Sequence, residues 1–359
     1  MLFCEGISLF QFRNYAERQF RFTENIIGIT GKNGTGKTNL LDAIYYLSFT
    51  KSAFSKPDAQ STHIDGAGWR IEGNYKKLEK AHHLKCILRE TNRKEFSEDG
   101  NIVTKFSSHI GQYPAVCIAP DDISLVNEGG AERRRFLDTL LSQINADYLS
   151  ALVIYQKLLD QRNKLLQENI SNGFLDHTLL EVTDIQLAAS GEKIFLERRQ
   201  FLDKFFPLLA AAYQSIANSN EQLTFRYQSH QEDGKLANQL TQFRNRDLAA
   251  GRTTRGPHKD DIVVECGNFL FKNIASQGQR KSLLFAFKIA EIQTLTTKNG
   301  FAPILLLDDI FEKLDAGRVE NLLANLCIGN MQVFITDTET ERLKKALNPL
   351  QQAFQIISL

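Results

Sequence analysis

The sequence predicts an α/β fold in which one phosphate-binding core is interrupted by a helical insertion. Three observations carry this. A β-branched strand, a glycine-rich loop and a helix follow one another over residues 25–49. From Glu132 to Ala217 the chain is rich in Leu, Gln, Lys and Glu at helical spacing. After Gly256 strands return, one of them apolar and ended by two aspartates. A chain of 359 residues suggests about two domains. The expected divisions are a first part of the core at 1–119, a helical lobe with a short arm at 120–254, and a second part of the core at 255–359.

In chain order, residues 7–30 read as short strands: Ile7–Phe12, Arg18–Phe22 and Asn25–Thr30, each alternating or β-branched. Asn39–Phe49 reads as a helix. Residues 69–89 alternate again, through Trp69, Ile71 and Tyr75 and then Leu84, Cys86 and Leu88, as antiparallel strands. Val116–Ala119 is a short apolar strand stopped by Pro120, Asp121 and Asp122. Leu152, Tyr155, Leu159, Arg162 and Leu166 follow a helical rhythm that ends at the turn signal Ser171-Asn172-Gly173. A second helical run covers Phe174–Phe206, with Pro207 expected to end or kink it. The first of these helices is about 25 residues, or ~37 Å, a short antiparallel arm rather than a long coiled coil. Gly251–Gly256 is a basic loop. Strands follow at Asp261–Cys266 and Phe269–Lys272, a helix at Gln279–Thr294, and strands at Pro303–Leu307 and Gln332–Thr336.

Composition excludes some functions. Hydrophobic residues make up 42%, charged ones 24%, and there are seven prolines, so no large disordered region is implied. Lys and Arg number 43 against 42 Asp and Glu, which excludes a polybasic binder. Affinity for nucleic acid must then come from a local patch or from assembly. The N-terminus carries no signal-peptide pattern, no apolar run reaches the ~18 residues of a membrane span, and the five scattered cysteines suit free cytosolic thiols. A cytoplasmic chain without a membrane partner is expected.

Gly31-Lys32-Asn33-Gly34-Thr35-Gly36-Lys37-Thr38 matches G-x-x-x-x-G-K-[ST] between a strand and a helix. Its glycines let backbone N–H groups wrap an anion at a helix N-terminus. Lys37 is placed to reach the β- and γ-phosphates of ATP and Thr38 to hold Mg²⁺. Such a loop calls for an acid at the end of an apolar strand. Ile304–Leu307 followed by Asp308 and Asp309 supplies it, with Asp308 toward Mg²⁺ and Asp309 toward the attacking water. Before that strand comes Ser276-Gln277-Gly278-Gln279, a turn opening a helix. It is a second γ-phosphate binder, and makes sense if it addresses the nucleotide of a second subunit.

The phosphate loop, the Ser276–Gln279 signature, the Asp308-Asp309 strand and the following Leu314-Asp315 resemble the P-loop head of ABC-type ATPases. Within these, the chain resembles the RecF family of bacterial recombination mediators over essentially its whole length. Phe12-Arg13-Asn14-Tyr15 followed by Asn33–Tyr45, Pro120-Asp121-Asp122 with Glu132–Asp138, and Gly256-Pro257-His258-Lys259-Asp260-Asp261 carry the similarity. Departures are Glu128-Gly129-Gly130-Ala131 where the family has Pro, Glu312-Lys313 where it has Ser-Glu, and Lys51 and Lys56 where it tends to have an Arg finger. Thr336-Asp337-Thr338 stands where transporters carry a His.

The resemblance implies a slow, DNA-stimulated ATPase used as a switch. ATP would join two heads, with Lys37, Asp308 and Asp309 of one chain facing Ser276 of the other. The homodimer would grip DNA near single-strand/duplex junctions, act with RecO and RecR to load RecA at gaps and stalled forks, and support SOS induction. A transporter ATPase subunit and the head of a chromosome-organising protein are the alternative readings. For DNA contact the sequence offers Arg133-Arg134-Arg135, one of which is expected to pack on Asp121 or Asp122. It also offers Lys76 and Lys77 in a mildly basic segment, and Arg252 and Arg255 in the 244–255 loop.

Overall fold

The computed structural model describes residues 1–54, 57–217, 221–310, 323 and 330–359. Packing divides the chain into two compact units, one of Met1–Asp122 with Lys288–Leu359 and one of Ile123–Phe287.

The first unit holds two sheets. β1 (Leu2–Phe12), β2 (Tyr15–Arg21), β4 (Trp69–Lys77), β5 (Lys80–Leu88), β6 (Lys94–Glu98) and β7 (Asn101–Ile102) form an antiparallel sheet in the order β2-β1-β4-β5-β6-β7. One face is buried. Trp69, Ile71, Gly73 and Tyr75 alternate with more exposed neighbours along β4, the pattern of a half-solvated sheet. Phe12, Tyr46 and Trp69 meet edge to face on the covered side, with ring centroids 4.9–5.7 Å apart.

The second sheet is parallel throughout. It contains β3 (Ile26–Thr30), β8 (Ala115–Ile118), β12 (Ile304–Leu307), β13 (Val333–Asp337) and β14 (Phe354–Ser358), in the order β14-β3-β13-β12-β8. β3, β12 and β13 are buried at every position, which is why they read as unbroken apolar runs rather than alternations. This order puts β13 between the strand that feeds the phosphate loop and the strand that ends in Asp308.

The second unit is mainly helical, with the helices Gly130–Ile144, Ala146–Asn172 and His177–Ala217 and a small sheet of β9 (Leu223–Gln228), β10 (Asp261–Cys266) and β11 (Phe269–Leu270). Asn145 caps the Ala146–Asn172 helix by accepting the N–H groups of Asp147 and Tyr148, each at 3.0 Å. Gly173, at φ +68°, ends it in the left-handed conformation anticipated from Ser171-Asn172-Gly173. The returning helix starts at His177 rather than Phe174. It runs through Pro207 to Ala217, where the sequence predicts an end or kink. Phe205, Leu209, Ala212 and Tyr213 are all buried, so packing on both sides of Pro207 offsets the one lost backbone bond.

The second domain boundary also differs from the expected 254/255. It falls at 287/288, inside the Gln277–Asn299 helix. The cause is β9, a strand absent from the sequence-based reading. It pairs with β10 from Asp261↔Gln228 to Cys266↔Leu223 and draws residues 255–287 into the helical unit.

Candidate nucleotide site

β3 delivers the chain to the phosphate loop, and the Lys37–Phe49 helix leaves it. Gly36 caps that helix at φ +111°, a backbone region that side chains rarely adopt. A Cβ there would fall 2.7 Å from both Asn14 Nδ2 and the Tyr15 hydroxyl. Gly34, at φ +84°, supplies the second left-handed turn. Lys37 is 4% exposed. Its Nζ donates to the carbonyls of Gly31 (2.9 Å) and Lys32 (3.3 Å), which folds the ammonium across the loop.

The two motifs at opposite ends of the sequence meet here. Thr38 Oγ1 donates to the Asp308 carboxylate, at 3.0 Å from Oδ1 and 2.9 Å from Oδ2. Asp308 is held at the end of β12 by its own N–H to Ile118 O, 2.8 Å. Burial pushes its carboxyl above the ordinary aspartate range, opposed by hydrogen bonds from Thr336 and Thr38. The neighbouring Asp309 charge pushes the same way as burial. Asp309 follows at φ +43°, a left-handed backbone for a residue with a side chain, as strained positions at functional sites often are.

Thr336 gains a role that the sequence does not reveal. It lies in β13, beside β12, and its Oγ1 donates to Asp308 Oδ1 (2.8 Å) while accepting the Asp309 N–H (2.8 Å). It therefore orients both acids. Asp337 turns elsewhere, pairing with Arg342 through Nε (2.9 Å) and Nη2. Asn14, from the Phe12–Tyr15 block that carries the resemblance, also gains a role. Its Nδ2 donates to Thr35 O (2.9 Å) and its Oδ1 accepts from Asn39 (2.8 Å), so it braces the loop from outside. Tyr15 OH donates to Gly36 O, 3.1 Å, and Arg13 pairs with Asp42 at 2.6 Å. The Phe12–Tyr15 block is thus a support for the phosphate loop.

Oxygen donors from Thr38 and Asp308, already within 3.0 Å of each other, are the donor set that suits a small hard cation such as Mg²⁺. Glu312, Lys313, Leu314, Asp315 and Lys56 lie outside the described residues. Lys51 is exposed just beyond the Lys37–Phe49 helix.

In the second unit Ser276–Gln279 forms a reciprocal helix cap. Gln279 N–H donates to Ser276 Oγ (3.2 Å), and Ser276 N–H donates to Gln279 Oε1 (2.6 Å). Ser276 and Gln277 are exposed, and Gly278 and Gln279 half-buried. Because Ser276 Oγ accepts within the cap, its hydroxyl proton remains able to donate outward.

The basic candidates separate. Arg133 is buried, 6% exposed. It binds Asp261 through Nε (2.6 Å) and Nη2 (2.9 Å) and the carbonyls of Leu125 and Glu128 through Nη1. This corrects the expectation that an arginine of the cluster packs on Asp121 or Asp122, and it commits Arg133 to the interior. Arg134 donates to Asp260 O, 2.6 Å. Arg135 is exposed and pairs with Glu132, 3.0 Å. Lys76 pairs with Glu79, 2.6 Å, while Lys77 donates to Gln112 and lies 4.8 Å from the Tyr113 ring centre. Arg252 is exposed, and Arg255 stacks 3.9 Å above the Phe243 ring centre.

Comparison with known proteins shows the family and the fold. Residues 3–357 match the family model described as RecF/RecN/SMC N terminal domain. The DNA replication and repair protein RecF of Parabacteroides distasonis is 38% identical over 96% of this chain and 94% of its own length. A solved structure of the recombination mediator protein RecF-ATPrS in the RecFOR pathway superposes with a TM-score of 0.87 at 28% identity. It covers 95% of this chain and 94% of that one. An Smc head bound to the C-winged helix domain of ScpA, at 13% identity and TM-score 0.55 over 99% of this chain and 94% of that one, shares the fold alone.

Proposed function

The chain belongs to the RecF/RecN/SMC N-terminal domain family, with RecF relatives across its whole length, and on that premise we propose that it is an ATP-driven DNA-binding switch for recombinational repair. The observation that carries this is the Thr38–Asp308 contact, which joins the phosphate loop to the acidic strand in one site. Lys37 holds the β- and γ-phosphates of ATP together with the loop N–H groups from Gly31 to Thr38. Asp309 accepts the proton of the attacking water, and Thr336 keeps its backbone in place. Thr38 and Asp308 would hold Mg²⁺, which would supply charge neutralisation on the phosphates.

Ser276 of a second chain donates to the γ-phosphate, and the positive end of its helix faces the same charge. ATP thereby joins two chains, and hydrolysis parts them. The paired form grips DNA at single-strand/duplex junctions in the cytoplasm, and works with RecO and RecR in loading RecA at gaps. Exposed Arg135 and Arg252, with Lys76, Lys77, Arg134 and Arg255, are the DNA contacts in this reading. Relatives named for DNA replication and repair favour it over a transporter subunit. Among the described residues no helix is long and apolar enough to cross a membrane.

Light scattering with and without ATP and duplex-junction DNA tests the reading. The wild type should double in mass with ATP, and Lys37→Ala and Ser276→Arg should not. Equal pairing in either variant would overturn it.

A further inference from the structure

Gln279 is gripped at both ends of its amide. Its Oε1 accepts the Ser276 N–H at 2.6 Å, and its Nε2 donates to Glu221 Oε1. The other Glu221 oxygen accepts from Tyr213 OH, 3.3 Å, near the end of the 41-residue His177–Ala217 helix. A primary amide can turn over, exchanging oxygen for NH₂ at little intrinsic cost. Turned over, Gln279 would present NH₂ to the Ser276 N–H and break the cap. An ionised carboxylate only accepts, so Glu221 admits the NH₂ side alone and fixes the amide in the orientation that closes the cap.

We propose that Glu221 is the positioning residue of the Ser276–Gln279 turn, holding it in the form that meets the nucleotide of a second chain and tying it to the end of the arm helix. This rests on the cross-chain reading above. Glu221 touches no nucleotide itself. It acts by fixing where Ser276 Oγ and the helix N-terminus point. Nothing in the signature residues announces it, because it lies more than fifty positions upstream.

The test compares Glu221→Ala, Glu221→Gln and Ser276→Arg. Glu221→Ala should speed hydrogen exchange at the Gln277–Arg280 amides and weaken ATP-dependent pairing by roughly 10-fold or more, the range for losing a charge-assisted hydrogen bond. Nucleotide affinity of the unpaired chain and the thermal midpoint should stay as in the wild type. Glu221→Gln keeps an acceptor oxygen and should recover most of the pairing. If Ser276→Arg abolishes pairing while Glu221→Ala pairs normally, the inference is overturned and the cross-chain reading stands. If Ser276→Arg pairs normally, both fall. Equal damage from Glu221→Ala and Glu221→Gln, with loss of the thermal midpoint, would show that Glu221 acts through the fold, and would also overturn it.

Discussion

Arg162 in the second unit and Lys37 in the first are both buried cations, 0% and 4% exposed, yet they are held by different kinds of partner. Arg162 faces two carboxylates, Asp184 at 2.6 Å and Asp247 at 2.7 Å, and the Thr253 hydroxyl. Arg198 repeats the pattern with Asp138, Asp260 and the Tyr148 hydroxyl. Lys37, among the described residues, bonds to neutral carbonyls of its own loop. A cation neutralised by fixed carboxylates is a structural element. A cation whose hydrogen bonds go to carbonyl oxygens, with a carboxylate nearby but not bonded to it, can be drawn off by a polyphosphate at the helix N-terminus. Burial rather than partner type separates Arg133, held inside by Asp261, from Arg135, which pairs with Glu132 at the surface.

The largest expected effect breaks the structural side. Arg162→Ala leaves Asp247 buried without its cation and Asp184 with Arg244 alone, at 3.4 Å, and should cost about 3–5 kcal/mol in urea denaturation. A loss below about 1 kcal/mol would mean the network is not structural. Next, Lys37→Ala should weaken ATP binding by roughly 10- to 150-fold, the range for losing a charge-assisted hydrogen bond, with the thermal midpoint unmoved. A matching fall in the midpoint would place Lys37 with Arg162. Smaller still, Arg135→Ala removes a surface pair worth about 0–1 kcal/mol. It should leave folding intact and lower the salt dependence of DNA binding by about one ion if Arg135 meets a phosphate. An unchanged salt slope would remove it from the DNA surface.

A separate effect on the structural side shows as a pH dependence. His258 accepts from or donates to the Tyr155 hydroxyl (2.7 Å) and bonds Thr253 O (3.0 Å). Burial, aided by the charges of Lys259 and Arg134, lowers its pKa from 6.5 to about 4. The unfolded chain therefore takes up the proton first. Stability is whole above about pH 6.5 and falls toward pH 4, by at most about 1.4 kcal/mol per pH unit. His258→Gln should flatten that slope in thermal melts between pH 6.5 and 4; an identical slope would contradict the buried neutral imidazole.

The phosphate loop and the acidic strand were legible because their chemistry is local: glycines at fixed spacing, and acids at the end of an apolar run. What the sequence hid was long-range. Thr336 acts because β13 lies between β3 and β12, and strand order is not written in spacing. Arg133 looked like part of a basic patch because its partner Asp261 is 128 positions away. Pro207 read as an end or a kink, and the helix does not end there, because propensity cannot weigh the buried residues on both sides of it. β9 was itself legible, since Leu223, Phe225 and Tyr227 alternate with Thr224, Arg226 and Gln228; what the sequence hid was its pairing with β10, and with it the 287/288 boundary.

A site shared between two chains is tested most directly by mixing Lys37→Ala with Ser276→Arg and measuring phosphate release with DNA. Each variant alone should be inactive. The mixture should regain hydrolysis, because a mixed pair carries one site in which Lys37 of one chain and Ser276 of the other are both intact. A mixture as inactive as its separate components would contradict the shared site.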